Sequence, residues 1–526
     1  MLKNEYIKQT EIEVVTIDKL VPDDHLLRAV DQKFDFSFVR RRMEPLYCKD
    51  NGRPAIDPVM LFKMLFIGYV FGIRSERQLM KEIEVNVAYR WFLNMNLTEP
   101  VPHHSTISQN RIRRFDGSDV FRQMFEDIVL FAHEKGLIEG KILYTDSTHL
   151  KANANNKKFS KKIVAQNAKS YLDALDQAVE EDRENHGKKP LPPNEHDEDQ
   201  ELKEIKVSKT DPESGYMSRE NKPKGFYYLD HRTTDNKHNL ITDVYVTPAN
   251  INDSLVYPDR LDYQLNRFSF PVEAVGLDAG YHTPHICKQL TDKNIFGVIS
   301  YRKPGGPKGL LRKRQFSYDP DRDVYVCSQG KILKYRTTNR SGYRDYVSDP
   351  QQCAVCPILQ QCNRNKKNQK IISRHVWEDS IERIKENRTT ERGEYIKRRR
   401  SETVERSFAD AKQLHAYRYA RFRGLKRVES QSLMTAIAQN IKKMVKIMIK
   451  PGQDSNDKGK TRGESVYFRF LNLILSFFRS FMTTSANIQD FLPKLPCVFS
   501  ITTNLQHSFY KKGWFVNSLS PVGTTF

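Results

Sequence analysis

Two aspartates follow short apolar segments that lie far apart in the chain. Asp146 comes after residues 142–144 in the run LYTDST, and Asp278 ends the run VEAVGLD. Both are followed by small residues, which leave room for a bulky ligand. If the two segments are neighbouring strands, the carboxylates point at one spot, and an oxygen-only site of this kind suits hard divalent cations such as Mg²⁺ or Mn²⁺. Taken singly, each aspartate could instead simply end a strand or cap the next helix.

A third carboxylate comes from the helical stretch EYIKRRRSETVERSFADAK. Arg398, Glu405 and Lys412 are spaced by seven residues, so on one continuous helix they form a single stripe. A glutamate between two cations is suited to share a metal ion and to hold phosphates, whereas the alternative is a surface salt-bridge ladder. Glu402, one turn earlier, is the competing carboxylate. We favour Glu405 because its flanking cations are in register.

A cluster of thiols precedes this stretch. Cys327, Cys353, Cys356 and Cys362 include one C-x-x-C pair, and four thiolates with such a pair fit a structural Zn²⁺ site. The first spacing is long, with 25 intervening residues. Free buried thiols or an incomplete site therefore remain open alternatives.

The elements that must position the three carboxylates alternate between strands and helices. This order predicts an α/β core with a mixed sheet. The predicted elements are a strand at 142–146, a helix at 160–181, a hairpin made by GFYYLDHRTT and NLITDVYVTP, a helix at 254–267, a strand ending on Asp278, a helix at 284–292 and a strand at 295–301.

The first 140 residues differ from this pattern and are predicted to be helical. Asp57-Pro58 and Ser75-x-x-Gln78 are helix starts. A later helix carries Arg111, Arg113 and Arg114 in one turn. Short helices that end in a basic one favour a helix-turn-helix-like DNA-binding module over the alternative, a helical bundle with a solvated basic face.

The overall charge also indicates a polyanionic partner. Lys and Arg number 86 against 65 Asp and Glu, a net charge of +21, which favours nucleic acid over an anionic membrane surface. Seven cysteines in 526 residues exclude a disulfide scaffold, and no apolar run predicts a signal peptide or a membrane span. We expect a soluble, intracellular protein that does not associate with a membrane. Further candidates for DNA contact are Lys303, Arg312, Arg314, Arg398, Lys412, Arg421 and Arg423.

Changes of composition predict five segments. They are a helical DNA-binding domain at 1–140, the first part of the α/β core at 141–301 with a mobile, acid-rich linker at 180–224, a basic Cys-rich insertion at 302–389, a long basic helical region at 390–450 that carries the glutamate, and a tail at 451–526 of unknown role.

The chain resembles a known family in these same motifs. LYTDST, GLDAGY, TVERSFADAK and FRGLKRVESQSLMTAIAQNIKKM look like bacterial insertion-sequence transposases of the DDE class, in the group with a Cys-bearing insertion between the second Asp and the Glu. The resemblance implies an RNase H-like core and metal ligation by Asp146, Asp278 and Glu405. Family members also tend to place a Tyr and an Arg before the Glu and a Lys after it, which Tyr395, Arg398 and Lys412 match.

The resemblance further implies a function. Two Mg²⁺ or Mn²⁺ ions would support phosphoryl transfer, with strand cleavage at the terminal inverted repeats of the element and strand transfer into target DNA. The enzyme would act in the bacterial cytoplasm as a homodimer on paired ends. The alternatives are an RNase H-like nuclease or resolvase without strand transfer and an inactive DNA-binding regulator.

Overall fold

The computed structural model describes residues 12–48, 55–165, 172–192, 202–218, 224–301 and 309–449. Contacts divide the chain into two units, Met1–Pro451 and Gly452–Phe526, and all described residues belong to the first. The predictions for Lys303 and for the tail at 451–526 lie outside the described residues.

Helices make up the N-terminal part of the chain. Asp57 accepts hydrogen bonds from the backbone N–H groups of Val59 and Met60, and Ser75 accepts one from Gln78, so both predicted helix starts are confirmed. The helices are α1 (Ile17–Leu20), α2 (Leu26–Lys33), α3 (Ser37–Met43), α4 (Pro58–Val70), α5 (Glu76–Val85), α6 (Val87–Phe92), α7 (His104–Asn110) and α8 (Val120–Glu134), with a 3₁₀ turn at Glu44–Leu46 and a π-helical turn at Arg111–Phe115.

A mixed sheet with flanking helices follows, as expected for an α/β core. Its elements are β1 (Ile142–Lys151), β2 (Phe159–Ala165), α9 (Leu172–Asn185), β3 (Leu202–Ser208), β4 (Gly215–Met217), β5 (Gly225–Asp235), β6 (Ile241–Pro248), α10 (Asp253–Phe268), β7 (Ala274–Leu277), α11 (Pro284–Asp292) and β8 (Phe296–Ile299). The predicted hairpin is β5 and β6, and the two predicted helices after it are α10 and α11.

The strand order places β1 in the middle of this sheet. β5 lies antiparallel to β1 on one side, and β7 lies parallel to β1 on the other. β8 continues the sheet in parallel beyond β7, and β6 pairs antiparallel with β5. β4, β3 and β2 extend the sheet from β5. Parallel neighbours bring their carboxyl ends to one edge, so β1 and β7 can present residues side by side.

A second sheet forms the segment predicted as a Cys-bearing insertion, and the four helices after it complete the described residues. The five antiparallel strands lie in the order β13, β12, β11, β10, β9. The elements are β9 (Ser317–Asp319), β10 (Val324–Val326), β11 (Ile332–Thr338), β12 (Tyr343–Ser348), α12 (Pro350–Ala354), α13 (Leu359–Cys362), β13 (Ile371–His375), α14 (Glu378–Asn387), α15 (Glu391–Glu402), α16 (Val404–Leu414) and α17 (Leu425–Ile449).

One continuous core joins the N-terminal helices to the mixed sheet. α17 packs against β6, α8 and α4, and buries residues such as Met434 and Ile437 in the same apolar cluster as Phe62 and Ile241. The N-terminal helices therefore do not form a separate core. Within the described part of the chain, no helix is both long and apolar enough to cross a bilayer.

Two predicted segments differ from the structure. The predicted helix at 160–181 is β2 followed by α9, and the predicted mobile linker at 180–224 contains the end of α9 together with β3 and β4. Low apolar content suggested a linker, but polar partners and strand pairing hold the described parts of this segment. Asp182 is buried, where it accepts a hydrogen bond from Thr338 and pairs with Arg344, and β3 pairs with β2.

Candidate active site

Asp146 and Asp278 lie level with each other on neighbouring parallel strands. The register pairs Thr145 with Leu277, so the next residue on each strand is one of the two aspartates. β1 does not end at Asp146 as predicted, because β5 pairs with it as far as Lys151. Asp146 is thus held within a strand, and Asp278 stands at the end of β7, before a 3₁₀ turn at Ala279–Tyr281.

A close contact at Gly276 seats the helices that carry the third carboxylate. A Cβ at Gly276 would lie 2.7 Å from Tyr144 Cδ1 and 3.0 Å from Ile396 Cγ2. A side chain at this position would push against Tyr144 of β1 and Ile396 of α15, so glycine favours the close approach of α15 to the sheet. Val404 and Phe408 of α16 are buried in the same small cluster as Tyr144 and Ile396.

The helix that carries Glu405 is broken, which corrects the predicted stripe. α15 ends at Glu402 and α16 begins at Val404, because Thr403 has φ −108° and ψ −91° and leaves the helical conformation. Arg398 therefore does not continue the helical row of Glu405, and its side chain is exposed. Lys412 remains on the same helix as Glu405.

One guanidinium, that of Arg400, contacts all three predicted carboxylates. Its Nη1 donates to Asp146 Oδ2 at 2.8 Å, and its Nη2 donates to Glu405 Oε1 at 2.6 Å. The same Nη2 lies 3.9 Å from Asp278 Oδ1. The oxygens of Asp278 and Glu405 are thus no farther apart than the sum of their distances to Nη2, about 6.5 Å, a span that a pair of ions about 3.5–4 Å apart can bridge.

Glu402 points to a different set of partners. Its carboxylate accepts a hydrogen bond from Arg399 Nη1 at 2.5 Å, and Arg399 also donates to the backbone carbonyl of Asn236 at 3.0 Å. Of the two glutamates that compete in the sequence, Glu405 is the one that shares Arg400 with both aspartates.

The three carboxylates differ in burial. The side chain of Asp146 is 20% exposed, whereas those of Asp278 and Glu405 are 45% and 46% exposed. Burial raises the pKa of Asp146 to about 6, and the nearby Arg400 guanidinium only partly opposes this rise. The site is therefore open to a large ligand on one side and has a partly dehydrated carboxylate at its base.

Lys412 brings a second cation to the same face of the sheet. Its ammonium donates to Thr148 Oγ1 at 2.5 Å. Thr148 lies two residues after Asp146 on β1, and residues two apart on a strand share a face. Lys412 thus lies one strand step along β1 from the carboxylates.

Arg400 is the residue that the sequence analysis missed. It stands five positions before Glu405, and on an unbroken helix five residues turn through about 500°, which leaves the two side chains about 140° apart. Only the break at Thr403 brings them together. The run RRRS contains three adjacent arginines, and no helical spacing in the sequence shows which of them contacts the three carboxylates.

The other candidate DNA-contact residues fall into two groups. Three arginines are stacked on aromatic rings, among them Arg111 at 3.9 Å from the Phe422 ring centroid and Arg421 at 4.3 Å from that of Tyr69. Arg114 lies over Tyr47. Arg113, Arg312, Arg314 and Arg423 are exposed.

The four cysteines of the insertion lie near one another. Burial raises the pKa of the Cys362 thiol, Lys370 opposes the rise, and Cys353, Cys327 and Cys356 add to it. Within the described ranges, no group of three or more His, Cys, Asp or Glu side chains is arranged so that it could hold a metal ion as it stands. The choice between a zinc site and free thiols therefore stays open.

Comparisons with known proteins match two separate parts of the chain. Residues 15–113 match a family model described as a transposase domain (DUF772), and residues 326–445 match one described as a transposase DDE domain. The first match covers α1 to α7, and the second covers most of the insertion sheet together with Arg400 and Glu405. A comparison with curated proteins gave no match. Transposase models match both ends of the described part of the chain, and these matches support an insertion-sequence transposase of the DDE class.

Proposed function

We propose that this transposase cleaves DNA strands at the ends of its element and joins them to target DNA, with Asp146, Asp278 and Glu405 as metal ligands. The observation that carries the proposal is the convergence of these carboxylates on Arg400. Three acidic groups around one cation create a negative electrostatic potential, which favours the binding of further cations.

The donor set fits divalent metal ions of the hard type. All three side chains offer carboxylate oxygens, which Mg²⁺ and Mn²⁺ prefer. When bound, such ions supply activation of the attacking hydroxyl and stabilisation of the leaving oxygen. Arg400 already pairs with the same carboxylates, so we expect it to give up contacts to them when metal ions bind.

The remaining chemistry belongs to the side chains of the chain itself. In each step one P–O bond forms and another breaks: water first releases a 3′-hydroxyl at the element end, and this hydroxyl then attacks a target phosphodiester. Lys412, beside Thr148, would hold a phosphate close to the carboxylates. Arg400 would take up a phosphate oxygen once it is displaced from the carboxylates.

We also infer that the sheet is an RNase H-like core. An antiparallel β6–β5–β1 ribbon continued by parallel β7 and β8 supports this. DNA binding by the N-terminal helices is part of the proposal, as is a homodimer, because both element ends must be cut together.

The test is cleavage of a labelled duplex that carries the inverted repeat of the element, with Mg²⁺ or Mn²⁺. Asp146→Ala should abolish cleavage and retain end binding. Persistent cleavage by that variant would refute the proposal, and cleavage without joining to a target plasmid would favour a nuclease or resolvase. Asp262→Ala, an aspartate of α10 paired with Lys293, is the matched control and should keep activity.

A separate measurement concerns structural zinc in the insertion. If the four thiolates hold an ion, purified protein should contain about one zinc per chain, and Cys356→Ser should lose it. Cys287→Ser, in a buried thiol of α11, should not. If the purified protein is active but contains no zinc, the four cysteines are free thiols.

A further inference from the structure

A cleft of about 350 Å³ lies between the N-terminal helices and the segment that follows α16. Its floor includes Tyr69 of α4, and its walls come from the start of α5, from α7, and from Arg421 and Phe422. The cleft thus lies between the two parts of the chain that match transposase models.

Arginines dominate the charge of this cleft. Arg74, Arg77, Arg111 and Arg421 line it, against the single carboxylate of Glu76. Glu76 is paired with Arg111, so three guanidiniums remain in excess. The start of α5, a helix of 10 residues, adds its partial positive charge.

Two of these arginines are held in place by stacking on aromatic rings, and one of them, Arg421, lacks a full set of acceptors. Arg421 is stacked over Tyr69, and its Nε and Nη2 atoms are buried without a hydrogen-bond partner among the described residues. Arg111 is stacked over Phe422. A buried guanidinium without acceptors is costly, and an anion in the cleft, directly or through a water molecule, would supply them.

The cleft is connected to the catalytic helix. His415, just after α16, donates from Nδ1 to the backbone carbonyl of Tyr69 at 2.9 Å. Nine residues separate Glu405 from His415, so the contact of His415 with the floor of the cleft lies about 15 Å from Glu405 along the helix. This corresponds to about four base pairs of duplex at 3.4 Å each.

We propose that this cleft binds a backbone phosphate of the element-end DNA, about four base pairs from the cleaved bond. The proposal rests on the proposed function, because it places a second contact on the same DNA. Arg74, Arg77 and Arg421 supply the cationic contacts, and Glu76 holds Arg111 away from the phosphate. The contact reads the backbone and not the base sequence.

The experiment measures the affinity of a fluorescein-labelled 30-bp duplex with the element end, in EDTA, from about 0.05 to 0.3 M KCl. Each of Arg74→Gln and Arg421→Gln should lower the salt slope by about 0.9 and weaken binding about eightfold at 0.1 M salt. Glu76→Gln should have the opposite effect, since it frees Arg111. Arg74 is exposed, so its variant should fold even if Arg421→Gln does not.

Matched controls are Glu84→Gln, an exposed residue of α5, and Arg383→Gln, which contacts Asn294 at the edge of the sheet opposite to Asp278. Both should bind like the unaltered protein. The proposal is overturned if Arg74→Gln and Arg421→Gln follow these controls, or if titration with inorganic phosphate fills the cleft while both variants keep full DNA affinity.

Asp146→Ala separates this outcome from the proposed function. If cleavage requires Asp146 but the cleft variants match the controls, only the cleft proposal fails. If the cleft variants lose affinity while Asp146→Ala still cleaves, only the catalytic proposal fails.

Discussion

Arg400→Gln gives the most direct test that the three carboxylates form one cation site. In the absence of metal, the change removes the bonds of 2.8 Å to Asp146 and 2.6 Å to Glu405. A charge-assisted hydrogen bond contributes about 1.5–3 kcal/mol. The Asp146 bond should retain most of this because both side chains are at most 20% exposed, whereas the half-exposed Glu405 bond should contribute about 1 kcal/mol or less.

We therefore expect Arg400→Gln to lower the free energy of unfolding by about 2–3 kcal/mol in EDTA. Saturating Mn²⁺ should close most of this gap, because metal ions compete with Arg400 for the carboxylates in the unaltered protein and meet no such competitor in the variant. The assay is urea denaturation followed by fluorescence, with and without Mn²⁺.

Arg399→Gln is the control for this test. Arg399 pairs with Glu402, whose side chain is 53% exposed, so the change should cost about 1 kcal/mol or less and should not alter the response to Mn²⁺. If the loss of unfolding free energy in Arg400→Gln is the same with and without Mn²⁺, the reasoning is refuted. The reasoning is also refuted if Arg400→Gln and Arg399→Gln lose the same free energy of unfolding and respond equally to Mn²⁺.

Three further results are expected. Glu405→Gln should reduce the cleavage rate at least 100-fold and Glu402→Gln only a few-fold, in single-turnover assays; equal losses would contradict the assignment through Arg400. Burial lowers the pKa of His415 to about 4, below its unfolded value near 6.5, so the stability of the protein falls as pH drops from 6.5 towards 4. His415→Gln removes this loss, so the free energy of unfolding of the unaltered protein should fall by about 2 kcal/mol more than that of the variant between pH 8 and pH 5. Denaturation of both proteins at the two pH values measures this difference. Gly276→Ala should lower stability by about 1–3 kcal/mol, because its Cβ would meet Tyr144, and an unchanged melting temperature would contradict the close packing.

Local sequence determined much of the fold. The caps at Asp57 and Ser75 predicted two helix starts, and the strand signals GFYYLDHRTT and NLITDVYVTP predicted the β5–β6 hairpin. These features depend on neighbouring residues alone, so they can be read without knowledge of the fold. The described parts of the segment predicted as a linker at 180–224 are instead ordered by distant partners, since Thr338 and Arg344, which contact Asp182, lie more than 150 residues away.

The candidate site divides in the same way. Residue type and strand context singled out Asp146, Asp278 and Glu405, since carboxylates after apolar strands and on a basic helix are unusual enough to be noticed in the sequence. The role of Arg400 depended on tertiary structure, because packing of Ile396 and Val404 on the sheet sets two helix axes with a break at Thr403 between them. A helical period can be read only within one continuous helix, and so the side chain that joins the three acids could not be found by spacing.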